Sequence, residues 1–272
     1  MLHHTIKKEI TISGIGLHTG KNVNIRLKPA GIDSGITFIR TDLPGHQKTK
    51  ANLSNVTNTV RGTNLGGINT VEHLLSALYA LSITNLEIEI DGPEPPALDG
   101  SSKQYCELIM KAGIREQSSE MKSIKIKEPV FVAEEGKCLI AVPSDRFTVS
   151  FMINYPSGFI GTQFYNFELN SGKYVKDIAP ARTYGFIDEL EALKKQGLAL
   201  GANEKNAIAI GKEGYITQLR FKDELVRHKI LDLIGDLSLL GAEIKAHIIG
   251  VRSGHGLNTK LAKKLALRQD SA

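Results

Sequence analysis

The sequence is poor in the residue types that define several protein classes. It contains no tryptophan, aromatic residues make up 6% of it, and it has only two cysteines, Cys106 and Cys138. One cysteine lies in a helical pattern and the other in a strand pattern, so they form no disulfide framework, which is typical of a reducing compartment. No 18-residue apolar run is present, and no N-terminal apolar stretch follows a basic start. We therefore predict a cytoplasmic protein without stable membrane insertion.

Strong charge of one sign is also lacking. The formal net charge of +5 suits mildly anionic ligands, but the basic residues form no long run and few aromatic residues accompany them. These features argue against a nucleic-acid partner. A hydrophobic content of 41% and a charged content of 23% are typical of a soluble globular protein. The 272 residues suffice for one large domain or two domains of average size.

The two halves of the chain resemble each other, because their helix and strand patterns follow in the same order. "VEHLLSALYALSITNLEIEI" and "VRHKILDLIGDLSLLGAEIKAHII" each open with Val-X-His, continue as an amphipathic helix, and end in a strand. A Gly-containing loop and a second helix follow in both halves. We predict an α+β fold of two similar domains, each a mostly antiparallel sheet layered with two helices that pack between the sheets. The domains are expected at 1–116 and 122–272, joined by a polar linker at 113–123 and carrying inserts at about 40–68 and 154–180.

The stretch "VRHKILDLIGD" places His228, Asp232 and Asp236 at intervals of four. Residues four apart nearly overlie on an α-helix, so these three side chains share one face, opposite a face of Val, Ile and Leu. One interpretation is an ordinary amphipathic helix whose polar face meets water. The other is that His228 and Asp232 bind one metal ion, which needs a third ligand from elsewhere in the chain.

Glu72 and His73 open the equivalent helix of the first half, after Asn69 and Thr70, either of which could cap it. They are either a first-turn glutamate beside a surface histidine or part of a site. If the halves pack face to face, His73 meets His228 and Asp232, and the set has the composition of a catalytic zinc centre. Glu72 would then lie where it can accept a proton from water.

Three further segments carry candidate residues. His255 lies between two glycines in "SGHGLN" and is either the tip of a flexible turn or a histidine that Asp236 keeps protonated. "ARTYGF" precedes a helical segment at about 187–196 and is either a strand end with core aromatics or a source of the Thr183 hydroxyl for an oxyanion. "SGIGLHTG" has the wrong spacing for a phosphate-binding loop and predicts a hairpin. Lys229 is either a solvated side chain or a charge for a phosphate.

Taken together, "SGIGLHTG", "TVEHLLSAL", "LDGS", "ARTYGF", "VRHKILDLIGDL" and "GHGLN" resemble the UDP-3-O-acyl-N-acetylglucosamine deacetylase family, the zinc deacetylases of lipid A biosynthesis. The motifs occur in the family's order and span nearly the whole chain. Tyr184 stands where the family's motif usually has phenylalanine. The resemblance implies a monomer that hydrolyses the N-acetyl group of UDP-3-O-[(3R)-3-hydroxyacyl]-N-acetylglucosamine with Zn²⁺, or Fe²⁺, as cofactor.

The resemblance also implies a role for each matching residue, and the roles fall into three groups. The metal ligands would be His73, His228 and Asp232. The catalytic residues would be Glu72 as general base, His255 as general acid, Asp236 as its orienting partner and Thr183 as oxyanion donor. The substrate-binding residues would be Lys229 at the diphosphate, Phe186 and Tyr184 at the sugar or nucleoside, and His18. An apolar passage for the acyl chain is expected at Gly158–Phe167, in "GFIGTQFYNF".

Two other functions remain open at this point. A zinc hydrolase of the same fold could act on another N-acetyl sugar nucleotide. A module that binds structural metal or nucleotide would hold zinc without turnover and with a closed fourth coordination position.

Overall fold

Two mixed sheets with the same strand order dominate the computed structural model, which describes residues 2–269. The first half contains β1 (Leu2–Ile6), β2 (Ile10–Ile15), β3 (Asn22–Pro29), β4 (Ile36–Arg40), β5 (Gln47–Lys50), β6 (Val56–Asn58), β7 (Asn64–Leu65), α1 (Glu72–Ala80), β8 (Leu86–Ile90), α2 (Lys103–Ala112) and β9 (Ile114–Glu120). The second contains β10 (Ser123–Lys125), β11 (Val130–Glu134), β12 (Lys137–Pro143), β13 (Thr148–Asn154), β14 (Thr162–Glu168), α3 (Ser171–Lys173) with a π-helical turn (Tyr174–Ile178), β15 (Tyr184–Phe186), α4 (Ile187–Lys195), β16 (Ile208–Ile210), α5 (Glu224–Ser238), β17 (Glu243–Val251) and α6 (His255–Gln269).

The internal repeat predicted from the sequence is visible in the topology. The first sheet has the order β2-β3-β8-β4-β5, and the second has β11-β12-β17-β13-β14, with β10 added beside β17. In each sheet the central strand is antiparallel to one neighbour and parallel to the other, and the outer pairs are antiparallel. The fold is therefore α+β, with sheets that are mostly antiparallel. The domain bounds 1–116 and 122–272 stay predictions.

The central strands form where apolar residues alternate with polar ones. In β17, "EIKAHIIGV", every second side chain is buried, and β8, "LEIEI", has the same pattern. Successive side chains of a strand point to opposite faces, so each strand gives its sheet one apolar face. Those faces contribute to a single hydrophobic core that also includes residues from both halves' helices.

Helices α1 and α5 pack against each other and are buried along nearly their whole lengths. Their close approach depends on Gly235. A Cβ atom at this position would lie 2.2 Å from the carbonyl oxygen of Glu72, far inside van der Waals contact. The absence of a side chain at Gly235 therefore lets α5 lie directly on the first turn of α1.

Several boundaries differ from the predictions. The polar stretch predicted as a linker, 113–123, contains strand β9, which pairs with β1 in a two-stranded antiparallel sheet. The predicted inserts at 40–68 and 154–180 overlap the sheets, since β5 and β14 pair along β4 and β13. The segments that leave the two sheets are 56–65 and 184–216, where small separate strand pairs form.

The predicted cap of α1 is wrong. Val71 occupies the N-cap position and no side chain within residues 2–269 caps the helix, because Thr70 adopts a φ of 53° and donates its hydroxyl to Glu94 instead. Neither Asn69 nor Thr70 therefore satisfies the first amide groups of the helix. Across residues 2–269, no helix combines the length and apolar character that crossing a membrane requires.

Candidate metal centre

Three buried side chains from α1 and α5 converge where the helices cross. His73 lies in the first turn of α1, while His228 and Asp232 lie one turn apart on α5. Asp232 Oδ1 is 3.3 Å from His228 Nε2 and 3.7 Å from His73 Nε2. One ligand atom from each of the three residues lies within 4.8 Å of the others. The face of α5 that one interpretation assigned to water is therefore buried against the first half of the chain.

The protonation states of these groups are those that metal ligands require. Burial lowers the pKa of His73 to about 3, with the neighbouring His228 acting in the same direction. Burial also lowers the pKa of His228, although Asp232 opposes the shift. Burial alone would raise the pKa of Asp232, but His228 and Lys229 outweigh it and hold that pKa well below its usual range. Two neutral imidazoles therefore face one carboxylate.

An unsatisfied atom marks the centre of this group. Asp232 Oδ1 is buried and has no hydrogen-bond partner among the described residues, although Asp232 Oδ2 accepts a hydrogen bond from Lys229 at 2.6 Å. His228 donates from Nδ1 to the carbonyl oxygen of Ala181 at 3.0 Å, which leaves its Nε2 lone pair facing Asp232. Buried polar atoms are rarely left unpaired. A cation bound by Asp232 Oδ1, His228 Nε2 and one ring nitrogen of His73 would satisfy these three acceptor atoms together. The residues present therefore fit a divalent metal ion.

Glu72 lies beside this cluster in a nearly dry environment. Its side chain is only 3% exposed, and its Oε2 accepts a hydrogen bond from the amide of Thr63 at 2.9 Å. Burial raises the pKa of Glu72 to about 7, Asp236 and Asp232 add to this rise, and His255 opposes it. A carboxylate with a pKa near neutrality is well matched to proton transfer at physiological pH.

His255 faces Glu72 across the site and is held from behind by Asp236. Its Nδ1 donates to Asp236 Oδ2 at 2.9 Å, while its Nε2 lies 3.8 Å from Glu72 Oε1. Thr63 and Asn258 also donate to Asp236, so both of its carboxylate oxygens accept hydrogen bonds. Burial opposes protonation of the imidazole, but Asp236 and Glu72 outweigh burial and raise the pKa of His255 to about 9. His255 begins α6, so it is not at the tip of a flexible turn.

The predicted substrate-binding aromatic residues also border the site. Thr183, Tyr184 and Phe186 line one wall of the same cavity. The ring of Tyr184 contacts His228 edge-on at 6.1 Å, and its hydroxyl shares a hydrogen bond with Tyr155 at 2.9 Å. Phe186 packs on the ring of Tyr155 at 5.5 Å. The segment "ARTYGF" therefore supplies a partly aromatic wall, and α4 begins directly after it, as the sequence predicts.

Lys229 and His18 line the cavity, and their nitrogen atoms already make contacts with other groups of the chain. Lys229 Nζ lies on Asp232 at 2.6 Å, so its role at a diphosphate stays a prediction. His18 Nδ1 accepts a hydrogen bond from the amide of Ala199, and its Nε2 lies 3.1 Å from the carbonyl oxygen of Arg61. The imidazole of His18 thus joins three segments at the rim, and a direct contact between its nitrogens and a substrate also stays a prediction.

The cavity has a volume of about 730 Å³, and much of its surface is apolar. Sequence reasoning placed an apolar passage at Gly158–Phe167, but most of that stretch is β14, an edge strand with Phe164 exposed. Apolar wall residues that the sequence did not reveal come from the segment 187–216: Ile187, Leu190, Leu193, Ala199, Ala202, Ile208 and Ile216. The apolar spacing of α4, with Ile187, Leu190 and Leu193 on one side, was the available signal.

Comparisons with known proteins agree with this geometry. The family model described as UDP-3-O-acyl N-acetylglycosamine deacetylase matches residues 3–267. A UDP-3-O-acyl-N-acetylglucosamine deacetylase from Citrifermentans bemidjiense is 41% identical, over 99% of this chain and 90% of that protein. Similar enzymes from Thermodesulfovibrio yellowstonii and Acidithiobacillus ferrooxidans are 43% and 42% identical, over 96% and 98% of this chain and 90% of each relative. The chain therefore belongs to the UDP-3-O-acyl N-acetylglycosamine deacetylase family.

Proposed function

We propose that this chain hydrolyses the N-acetyl group of UDP-3-O-[(3R)-3-hydroxyacyl]-N-acetylglucosamine, giving acetate and UDP-3-O-acyl-glucosamine, a step of lipid A biosynthesis. The observation that carries the proposal is the buried His73, His228 and Asp232 cluster with Glu72 beside it, in a chain of this family. A base with a pKa near 7 and an acid with a pKa near 9 that face each other across the site suit the hydrolysis of an amide.

The two imidazoles and the carboxylate would hold Zn²⁺, which favours such nitrogen and oxygen ligands, and Fe²⁺ is a second possibility. A metal ion bound there would polarise the acetamide carbonyl and make a water molecule more acidic. The Ala181 carbonyl keeps His228 in the tautomer with a free Nε2, and the fold fixes the remaining ligands on two rigid helices. These residues would therefore need little rearrangement when the metal binds.

The proton transfers are assigned to Glu72 and His255. Glu72 removes a proton from the attacking water as the new carbon–oxygen bond forms. The hydroxyl of Thr183 donates to the oxyanion that develops on the carbonyl oxygen. Protonated His255 then donates to the sugar nitrogen while the carbon–nitrogen bond breaks, and Asp236 holds the imidazole in place and keeps it charged. Acetate and the free sugar amine leave.

The cavity walls suit the two ends of an amphiphilic substrate. The apolar side chains between Ile187 and Ile216 would accept the hydroxyacyl chain, since burying apolar surface is favourable by roughly 25 cal/mol per Å². Phe186 and Tyr184 would pack against the sugar or nucleoside, and Lys229 and His18 would lie near the polar end. We expect a monomer in the cytoplasm. The free state of both cysteines is consistent with that reducing compartment.

The decisive experiment measures acetate release from the purified protein supplied with the UDP-3-O-acyl sugar. Chelator should abolish release, and added Zn²⁺ should restore it. UDP-N-acetylglucosamine, which lacks the acyl chain, is the matched substrate control and should react far more slowly. Folded, zinc-loaded protein that releases no acetate from the acylated substrate would refute the proposal. Equal rates on both substrates would instead move the specificity to sugar nucleotides in general.

A further inference from the structure

A single peptide group, the one joining Ala181 to Arg182, is held from both sides by α5. Its carbonyl oxygen accepts a hydrogen bond from His228 Nδ1 at 3.0 Å. Its amide donates to Glu224 Oε1, also at 3.0 Å. Glu224 and His228 are four residues apart, so they lie on one face of the helix and reach the same peptide. The segment around this peptide has no regular secondary structure to fix its orientation.

Glu224 can serve this peptide group in only one orientation. Its carboxylate is completely buried and accepts three further hydrogen bonds: from Arg182 Nε at 2.9 Å, Arg182 Nη2 at 3.1 Å and the amide of Arg220 at 2.6 Å. An ionised carboxylate is an acceptor only. If the peptide turned over, its carbonyl oxygen would face the carboxylate, and two buried acceptors would lie together without a proton between them.

The orientation of the peptide decides which nitrogen of His228 carries the proton. With the carbonyl oxygen facing Nδ1, that nitrogen must donate, so the proton lies on Nδ1 and Nε2 keeps its lone pair. Nε2 is the atom that lies 3.3 Å from Asp232 Oδ1 in the candidate metal centre. In the opposite orientation the peptide amide would face Nδ1, the proton would move to Nε2, and the ligand atom would be blocked.

We infer that Glu224, paired with Arg182, is a positioning residue for the metal centre. It fixes the orientation of the 181–182 peptide and thereby the tautomer of His228. The pair of Glu224 and Arg182 also fixes the backbone directly before Thr183. The amide of Thr183 donates to the carbonyl oxygen of Gly100, and its carbonyl oxygen accepts from the amide of Ile208. This inference rests on the proposed metal centre, but its test does not depend on deacetylation of any substrate.

Glu224→Gln is the informative substitution, because the amide is similar in shape but can either donate or accept. It can therefore donate to a turned-over peptide carbonyl, which the carboxylate cannot do, and in either setting its NH2 group loses hydrogen bonds that Glu224 accepts from Arg182 or Arg220. Zinc affinity of the variant should fall about 10-fold to 100-fold, as is typical when a partner of a metal-binding histidine is lost. Asp42→Asn is the control for loss of an arginine–carboxylate pair away from the site. Arg40 and Asp42 form a two-pronged pair of 2.7 Å and 2.8 Å in the first half, and the Asp42 side chain is 29% exposed, whereas that of Glu224 is fully buried.

Two measurements test the inference. Competition with a chromophoric chelator gives zinc affinity, and two-bond ¹H–¹⁵N spectra of histidine-labelled protein give the tautomer of His228, with its signals assigned by their absence in His228→Ala. In metal-free wild type, His228 should carry its proton on Nδ1. Asp42→Asn should show this same tautomer alone, whereas Glu224→Gln should show a mixture of His228 protonated on Nδ1 and on Nε2.

Different failures lead to different conclusions. A wild-type His228 protonated on Nε2 would overturn the inference even if Glu224→Gln does not fold. So would a folded Glu224→Gln protein with wild-type zinc affinity and a single Nδ1 tautomer. Wild-type protein that binds no zinc at all would instead overturn the proposed metal centre.

Discussion

Replacing Gly235 with alanine tests whether the close crossing of α1 and α5 sets the geometry of the site. The new Cβ would lie 2.2 Å from the carbonyl oxygen of Glu72 and 2.9 Å from its carbonyl carbon, whereas ordinary contact begins at 3.4 Å. Backbone atoms cannot rotate away as a flexible side chain can, so the helices must separate. In a helix, alanine is more favourable than glycine by about 1 kcal/mol of free energy. Forcing an extra carbon into a packed interior costs about 1–3 kcal/mol. We therefore expect net destabilisation, with a melting temperature lower by about 2–4 °C per kcal/mol.

The larger consequence should be catalytic, because the atoms that must separate belong to Glu72 itself. Moving α1 away from α5 carries Glu72 and His73 away from His228 and Asp232. A misplacement of about 1 Å can cost about 100-fold in rate. Acetate release should give kcat/KM, and thermal unfolding should give stability. Gly31→Ala is the control, since a Cβ there meets no atom of the described part of the chain within 4 Å. Wild-type kcat/KM and melting temperature in Gly235→Ala would refute the reasoning.

Three further predictions concern individual residues. Glu72→Ala should keep bound zinc, measured by elemental analysis, but lose most acetate release; retained turnover would remove Glu72 as the base. His73→Ala should lose zinc, and full zinc occupancy would break the ligand assignment. Asp236→Asn should shift the basic limb of the kcat/KM profile to lower pH. Asp236 raises the pKa of His255, which must be protonated to donate and loses its proton as pH rises through that pKa. An unmoved basic limb would show that another group controls it.

The repeat and its topology could be predicted because they depend on local pattern. Strands such as β8 and β17 alternate apolar and polar residues, and the same order of strand and helix occurs in both halves. The strand β9 could not be predicted in this way. Its residues are polar and largely exposed, and it pairs with β1, more than a hundred residues earlier in the chain. Periodicity identifies half-buried strands, but it carries no signal for a strand such as β9, none of whose residues is fully buried.

Periodicity also identified the polar face of α5 without revealing what that face contacts. His228, Asp232 and Asp236 share one side of the helix whether that side meets water or another helix. The distinction depends on α1, which brings His73 and Glu72 from the other half of the chain. The sequence signal that favoured a site was a second helix start of the same form at an equivalent position. A repeated motif thus carried information that a single amphipathic helix does not.

Three of the polar residues that sequence reasoning missed form hydrogen bonds with or through backbone groups. Thr63 holds Glu72 with its amide, Glu224 holds the amide of Arg182, and Glu94 accepts hydrogen bonds from the amides of His18 and Thr19. A side chain that bonds to a backbone amide can serve any residue type there, so the partner's identity leaves no trace in the sequence. The metal ligands are different, since their chemistry restricts the residue type. Sequence therefore predicts the atoms that do the chemistry better than the atoms that hold them in place.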